Sequence, residues 1–207
     1  MTTYTVTYKR SNFSKKEIQD IIISVIVLSI ALFLIISRDS VYNLGWPTDL
    51  GISFLMVITA FFLHEMSHKF TAIHYGAWSE FRMWPLGLVL TIITGLIGFL
   101  FALPGAVYFS SYRNPVREGK IALAGPTTNL VIGTALIPVF LFVYMPIPLQ
   151  AAVQFLIYIN LWLGLFNLIP FPPLDGSKVF AWDRKNWAIS FGFAVVLVAY
   201  FFLFIGI

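Results

Sequence analysis

The chain has 207 residues, 59% hydrophobic and 11% charged, with a mean hydropathy of +0.87 and a net charge of +4. Soluble domains carry about 25% charged residues, and several runs here approach the ~20 apolar residues that cross a bilayer, so a soluble fold is excluded and an all-α polytopic membrane protein is expected. The charge excess reads as membrane topology and not as nucleic-acid binding, and the lack of cysteine excludes disulfides, thiolate metal ligands and a cysteine nucleophile.

In chain order, Tyr4, Val6 and Tyr8 alternate with threonines, a short strand pattern within a lead of residues 1–15. Ser14-Lys15-Lys16-Glu17 reads as a capping box opening the first membrane helix, 16–36. Its apolar run is longer than a signal-peptide core, so it is read as a retained span. Further spans are predicted at 49–75, 120–144, 149–168 and 187–206. The whole of 1–207 is expected to form one membrane-embedded domain. The segment 81–109 is apolar enough to span, yet it holds Gly87, Gly95 and Gly98 and is flanked by Pro85 and Pro104.

Charge counting decides between a span and a dip there. If 81–109 spans, five Lys/Arg lie on the side of the N-terminus and seven on the other. If it dips in and returns, eleven lie inside and only Arg38 outside, with Lys69 inside a helix left out of both counts. The second arrangement obeys the positive-inside rule, placing the N-terminus on the cytoplasmic face of the cell membrane. A non-helical dip survives in lipid only where it is buried in protein or lines a wet cavity, which points to an internal polar site.

His64-Glu65-Met66-Ser67-His68 lies inside an apolar run. Histidines four apart share a helix face and can reach one metal ion, with Glu65 beside them to take a proton from water. A glutamate at the bilayer centre costs roughly 3 kcal/mol on insertion scales, so an idle one is disfavoured. His64 lies about 20 Å along its helix from Asp49, near the cytoplasmic end, and Lys69 is expected to snorkel to that interface. A catalytic zinc takes a third protein ligand. His74 points about 120° away from His68 on a continuing helix. Glu80 and Glu118 flank the dipping segment and read as solvated. Asp175 follows three prolines that unwind the chain after 149–168. On spacing alone it is equally a turn aspartate. A dip at 81–109 puts it on the same side as His68, whereas a span would put it on the opposite side. Asn129, after Gly125-Pro126, reads as a helix-packing polar group, and Asn167 as a group able to hold substrate backbone or a developing oxyanion.

Together these residues resemble the site-2 protease family of intramembrane zinc metalloproteases, peptidase family M50. The resemblance rests on the His64–His68 run, on Ala124-Gly125-Pro126 with Asn129, and on Asn167-Leu168-Ile169-Pro170 leading to Leu174-Asp175-Gly176, covering about residues 53–182. It implies zinc, one per chain, held by His64, His68 and Asp175, with Glu65 as general base; Asn167 and Asn129 are expected, from the residues themselves, to support substrate or oxyanion. It implies single-span membrane proteins as substrates and the bilayer as the setting. β-strands at the membrane surface, another family feature, suit 81–109, and an exposed strand edge near 101–109 is expected to hold an unwound substrate segment. The rival readings are a metal transporter or channel, which would need a pathway to both faces, and a catalytically inactive adaptor of the same fold.

Overall fold

A computed structural model describes residues 13–39, 42, 44–110 and 114–206. The strand expected at Tyr4–Tyr8 lies outside the described residues. Among the described residues, five helices are long and apolar enough to cross a membrane: Lys15–Arg38, Trp46–His74, Pro115–Phe142, Ile147–Asn167 and Arg184–Ile205. The protein is an all-α polytopic membrane protein with one small sheet.

Helix α1 (Lys15–Asp39) shows why composition outweighs amphipathicity here. Ile18, Ile22, Ile26 and Ile30 form an exposed stripe, while Val25, Leu28, Leu32 and Ile36 are buried. Both faces are apolar, as a helix between protein and lipid requires. Ser14 accepts from the Glu17 backbone N–H at 3.0 Å, so the predicted cap forms, but the Glu17 carboxylate turns elsewhere.

The second span is α2 (Trp46–Val57), a π-helical turn at Ile58–Phe62, and α3 (Leu63–His74). A π turn strips carbonyls of their usual partners. The Thr59 hydroxyl donates to Leu55 O at 2.9 Å, and the Ala60 carbonyl accepts from the Asn129 side chain at 2.9 Å. The backbone just before the two histidines is thus fastened by side chains, one from the same span and one from Asn129.

The segment after α3 leaves from one strand and comes back to pair with it. Strand β1 (Ser79–Met83) pairs antiparallel with β2 (Gly105–Phe109), Met83 opposite Gly105 and Ser79 opposite Phe109. The two ends of the intervening stretch therefore meet. Contrary to a wholly irregular dip, its inward arm is helix α4 (Pro85–Leu96). Pro85 starts it where no N–H is needed, and a helix satisfies its own backbone in lipid. Gly95 packs on the backbone of Ala31, so the tip of α4 reaches about 20 Å along α1 from Glu17, and Arg38 caps Leu96 O at 2.5 Å.

Helix α5 (Pro115–Phe142) begins five residues before the expected 120, because Asn114 caps it by accepting from the Val116 and Arg117 N–H groups. Helix α6 (Ile147–Asn167) is the centre of the bundle. On one side it joins a core with α1 and α2 (Leu28, Leu32, Met56, Ala152, Ile159), and on the other a core with α5 and α8 (Leu130, Val153, Ile157, Leu161, Val198). A short helix α7 (Asp175–Trp182) and α8 (Arg184–Tyr200), extended by a π turn to Ile205, complete the chain.

Candidate metal centre

Three distant parts of the chain converge at one point. His64 and His68 come from α3, Asp175 from the first position of α7, and Gly125 and Asn129 from α5. Nε2 of His68 lies 3.0 Å from Nε2 of His64, and Asp175 Oδ2 lies 3.1 Å from the first and 3.3 Å from the second. Among the described residues these three are the group of His and acidic side chains placed to hold a metal ion.

The hydrogen bonds around the rings define what the three atoms are. His64 Nδ1 lies 2.8 Å from Asn129 Oδ1, whose amide nitrogen is already donating to Ala60 O. His68 Nδ1 lies 2.8 Å from Ile121 O, which can only accept. Both Nδ1 atoms must therefore carry the proton, which leaves the two Nε2 lone pairs facing each other and a carboxylate oxygen. Three electron pairs aimed at one point suit a cation between them. Their separations approach the ~3.3 Å edge of a tetrahedron with bonds of ~2.0 Å, the zinc geometry for nitrogen and oxygen donors.

Gly125 makes the convergence possible. A Cβ there would sit 2.5 Å from His68 Nε2 and 2.6 Å from His64 Nε2, inside the space between the ligands. Gly125→Ala should lower zinc content markedly while leaving the helical fold intact. Zinc analysis of the purified variant checks this, and full occupancy would show that the α5 backbone does not border the centre.

Asp175 is brought in by the proline-rich turn. Pro170, Pro172 and Pro173 end α6, and the chain folds back so that Gly176 meets Leu168 O, where a Cβ would stand 2.1 Å away. Trp187 of α8 donates its indole N–H to the same Leu168 carbonyl at 2.8 Å.

Glu65 lies beside the centre and not among its converging atoms. Its Oε2 accepts the Val107 backbone N–H at 3.1 Å, so the unpaired edge of β2 runs past this carboxylate. The cavity in front is polar at one end, with Glu65, Asn167, Asp175 and Lys178, and apolar deeper in, with Leu28, Leu32, Met56, Ile159 and Leu163.

The remaining sequence candidates are placed as follows. Asn167 lines the cavity, with its amide nitrogen on Leu163 O at 3.1 Å. Asn129, expected as substrate or oxyanion support, has both side-chain atoms engaged by His64 and Ala60, so it orients a histidine instead of facing a substrate. His74 is exposed and packs edge-on against Tyr75. Glu80 is not solvated: it is buried, accepts from the Ser14 hydroxyl and pairs with Arg82 at 2.8 Å. Lys69 does not snorkel but is fully buried against Glu17 at 2.8 Å. Sequence reasoning missed the carbonyls of Ala60 and Ile121 and the N–H of Val107, because backbone groups leave no residue-type signal. It counted Lys178, 3.7 Å from Asp175 Oδ1, only as a topological charge.

A relative from Methanocaldococcus jannaschii, MJ0611, is 41% identical over 180 residues, covering 86% of this chain and 90% of its own. The chain belongs to peptidase family M50. The profile of that family, Peptidase family M50, matches residues 144–205. A Bacillus subtilis relative, YwhC, is 31% identical over 70% of this chain and 78% of its own. The names of both are provisional zinc-metalloprotease assignments. A third, the zinc metalloprotease MJ0392 of M. jannaschii, is 28% identical over 62% of this chain and 33% of its own. No solved structure matches. Membership of M50 makes this multi-pass membrane protein a metalloprotease of the zinc class.

Proposed function

We propose that the protein is a zinc endopeptidase that cleaves membrane-embedded segments of single-span proteins, with one zinc per chain held by His64, His68 and Asp175. The observation that carries this reading is the placement of three converging donors and a free glutamate at the polar end of an apolar cavity between spanning helices. Zinc, when bound, supplies a Lewis acid that polarises a carbonyl and acidifies water. Glu65 is the proton acceptor in this site, since its carboxylate stands beside the donors without being one of them. Asn129 and the Ile121 carbonyl hold the two rings in one tautomer. Leu28, Leu32, Met56 and Ile159 keep bulk water from the deep end of the cavity and match apolar substrate side chains. In the charge count above, eleven of the twelve Lys/Arg other than Lys69 fall on one side, and a cytoplasmic active site fits that count.

A helical peptide bond is shielded by its own side chains, so a substrate must be held extended. The β2 edge is suited to this by strand addition. Phe81 and Val107 form a pair whose N–H groups both point out of the ladder, to Glu17 and to Glu65. Val107→Pro therefore removes an edge donor without removing a ladder bond. Cleavage of a membrane substrate should fall at least tenfold, the order of one lost hydrogen bond, here the one Val107 makes to Glu65 at the edge, with zinc content unchanged. Cleavage at the wild-type rate would remove strand addition at this edge from the mechanism.

The test of the function is metal analysis of purified protein together with cleavage of a single-span substrate in a bilayer. About one zinc per chain and cleavage lost in Glu65→Gln are expected. Cleavage that persists in that variant, or a wild type that binds no zinc, would overturn the reading.

A further inference from the structure

The mechanism above leaves unused a fully buried ion pair one residue beyond the metal-binding histidines. Lys69 follows His68 on α3, and both Lys69 and Glu17 are 0% exposed. Lys69 Nζ donates to Glu17 Oε1 at 2.8 Å, to Oε2 at 3.0 Å and to the Ser79 carbonyl at 2.9 Å. The Ser79 hydroxyl donates back to Lys69 O at 3.2 Å. Glu17 Oε1 also accepts the Phe81 backbone N–H at 2.9 Å. One carboxylate thus joins the first turn of α1, the catalytic-site helix α3 and strand β1.

Its position relative to the cavity gives the pair more than a structural role. Phe81 stands opposite Val107, and Val107 meets Glu65 at 3.1 Å. The two-stranded sheet is held between two glutamates, Glu17 on its outer edge and Glu65 on its inner edge, at the same register step. Stability alone does not call for charge here, because well-packed apolar residues of similar volume commonly replace a buried ion pair without loss. What an apolar pair cannot supply is an acceptor for the outward-pointing Phe81 N–H, the group that fixes how far β1, and with it β2, stands from Glu65.

We propose that Glu17 is a positioning residue for peptide hydrolysis, setting the β2 edge against Glu65 so that a strand laid on that edge presents its bond at the metal centre. This rests on the peptidase reading above. Two double variants isolate the idea. Glu17→Gln with Lys69→Met removes the charges but keeps an oxygen for the Phe81 N–H. Glu17→Leu with Lys69→Met removes the charges and the acceptor at similar volume.

Both should bind zinc as the wild type does, because neither touches a ligand. The Gln/Met variant should keep kcat near the wild-type value. The Leu/Met variant should lose at least about tenfold in kcat with a smaller change in KM, since ångström-scale misplacement of reacting groups costs up to about 100-fold. Amide hydrogen exchange over Gly105–Phe109 in the zinc-loaded proteins supplies a readout that needs no turnover: it should be faster in the Leu/Met variant alone. Equal kcat and equal exchange in the two variants would overturn the proposal and leave the pair a structural clamp. A wild type that fails to cleave, with the exchange difference intact, would overturn the peptidase reading and keep the placement of the sheet by Glu17.

Discussion

Glu65→Gln should leave zinc bound and bring cleavage of a single-span substrate down by roughly 10²- to 10⁴-fold, the range that general-base catalysis contributes. The substitution is close to isosteric, and the amide oxygen can still accept the Val107 N–H, so the β2 edge keeps its place. Glu65 is not one of the three converging donors, so metal content should match the wild type. What the amide lacks is basicity. The measurement pairs zinc content with turnover in the same preparation. Loss of both together would make Glu65 a structural or ligating residue, and loss of neither would remove it from the chemistry.

Asp175→Asn has the second large effect, on metal retention. The side chain keeps its shape and one oxygen but loses the charge that a dication between the ligands favours. Changes to groups that only orient ligands lower zinc affinity by roughly 10- to 100-fold, so removing an anionic ligand should exceed that. The turn carrying residue 175 is anchored independently, by Gly176 against Leu168 and by Trp187 on the Leu168 carbonyl, so the helical fold should survive. Dialysis against a graded chelator, followed by zinc analysis and circular dichroism, separates the two outcomes. Wild-type zinc retention would return Asp175 to the role of a turn residue.

Much of the architecture was legible in short-range pattern. Apolar runs located the spanning helices, because lipid demands about 20 apolar residues of any span. The four-residue spacing of His64 and His68 placed both rings on one face. The asymmetry of Lys and Arg implied that 81–109 returns to its starting side, and the antiparallel β1–β2 pair brings its ends together. The helical inward arm was less legible, since glycines and β-branched residues argue against a helix in water while lipid favours one.

Charged residues near the site were misread for a common reason. Lys69 lies near the end of the second span and Glu80 just beyond it, where solvation is the ordinary expectation. Their burial depends on partners at positions 17, 14 and 82, which reach them only through the packing of α1 against α3 and β1. Ser14 and Glu17 had the pattern of a capping box, and only half of it closes because a buried ammonium draws the carboxylate away.

By itself the sequence determined the membrane class, the apolar helices long enough to span, and the identity of the side chains able to bind a metal. These follow from hydropathy, charge and helical periodicity, which act over a few residues. Only the tertiary structure decided which tautomer the histidines adopt, that Gly125 leaves room between their nitrogens, that Asn129 serves His64, and that the β2 edge reaches Glu65. Those facts depend on backbone atoms of Ala60, Ile121 and Val107, whose chemistry is the same at every residue and whose positions are set by long-range packing alone.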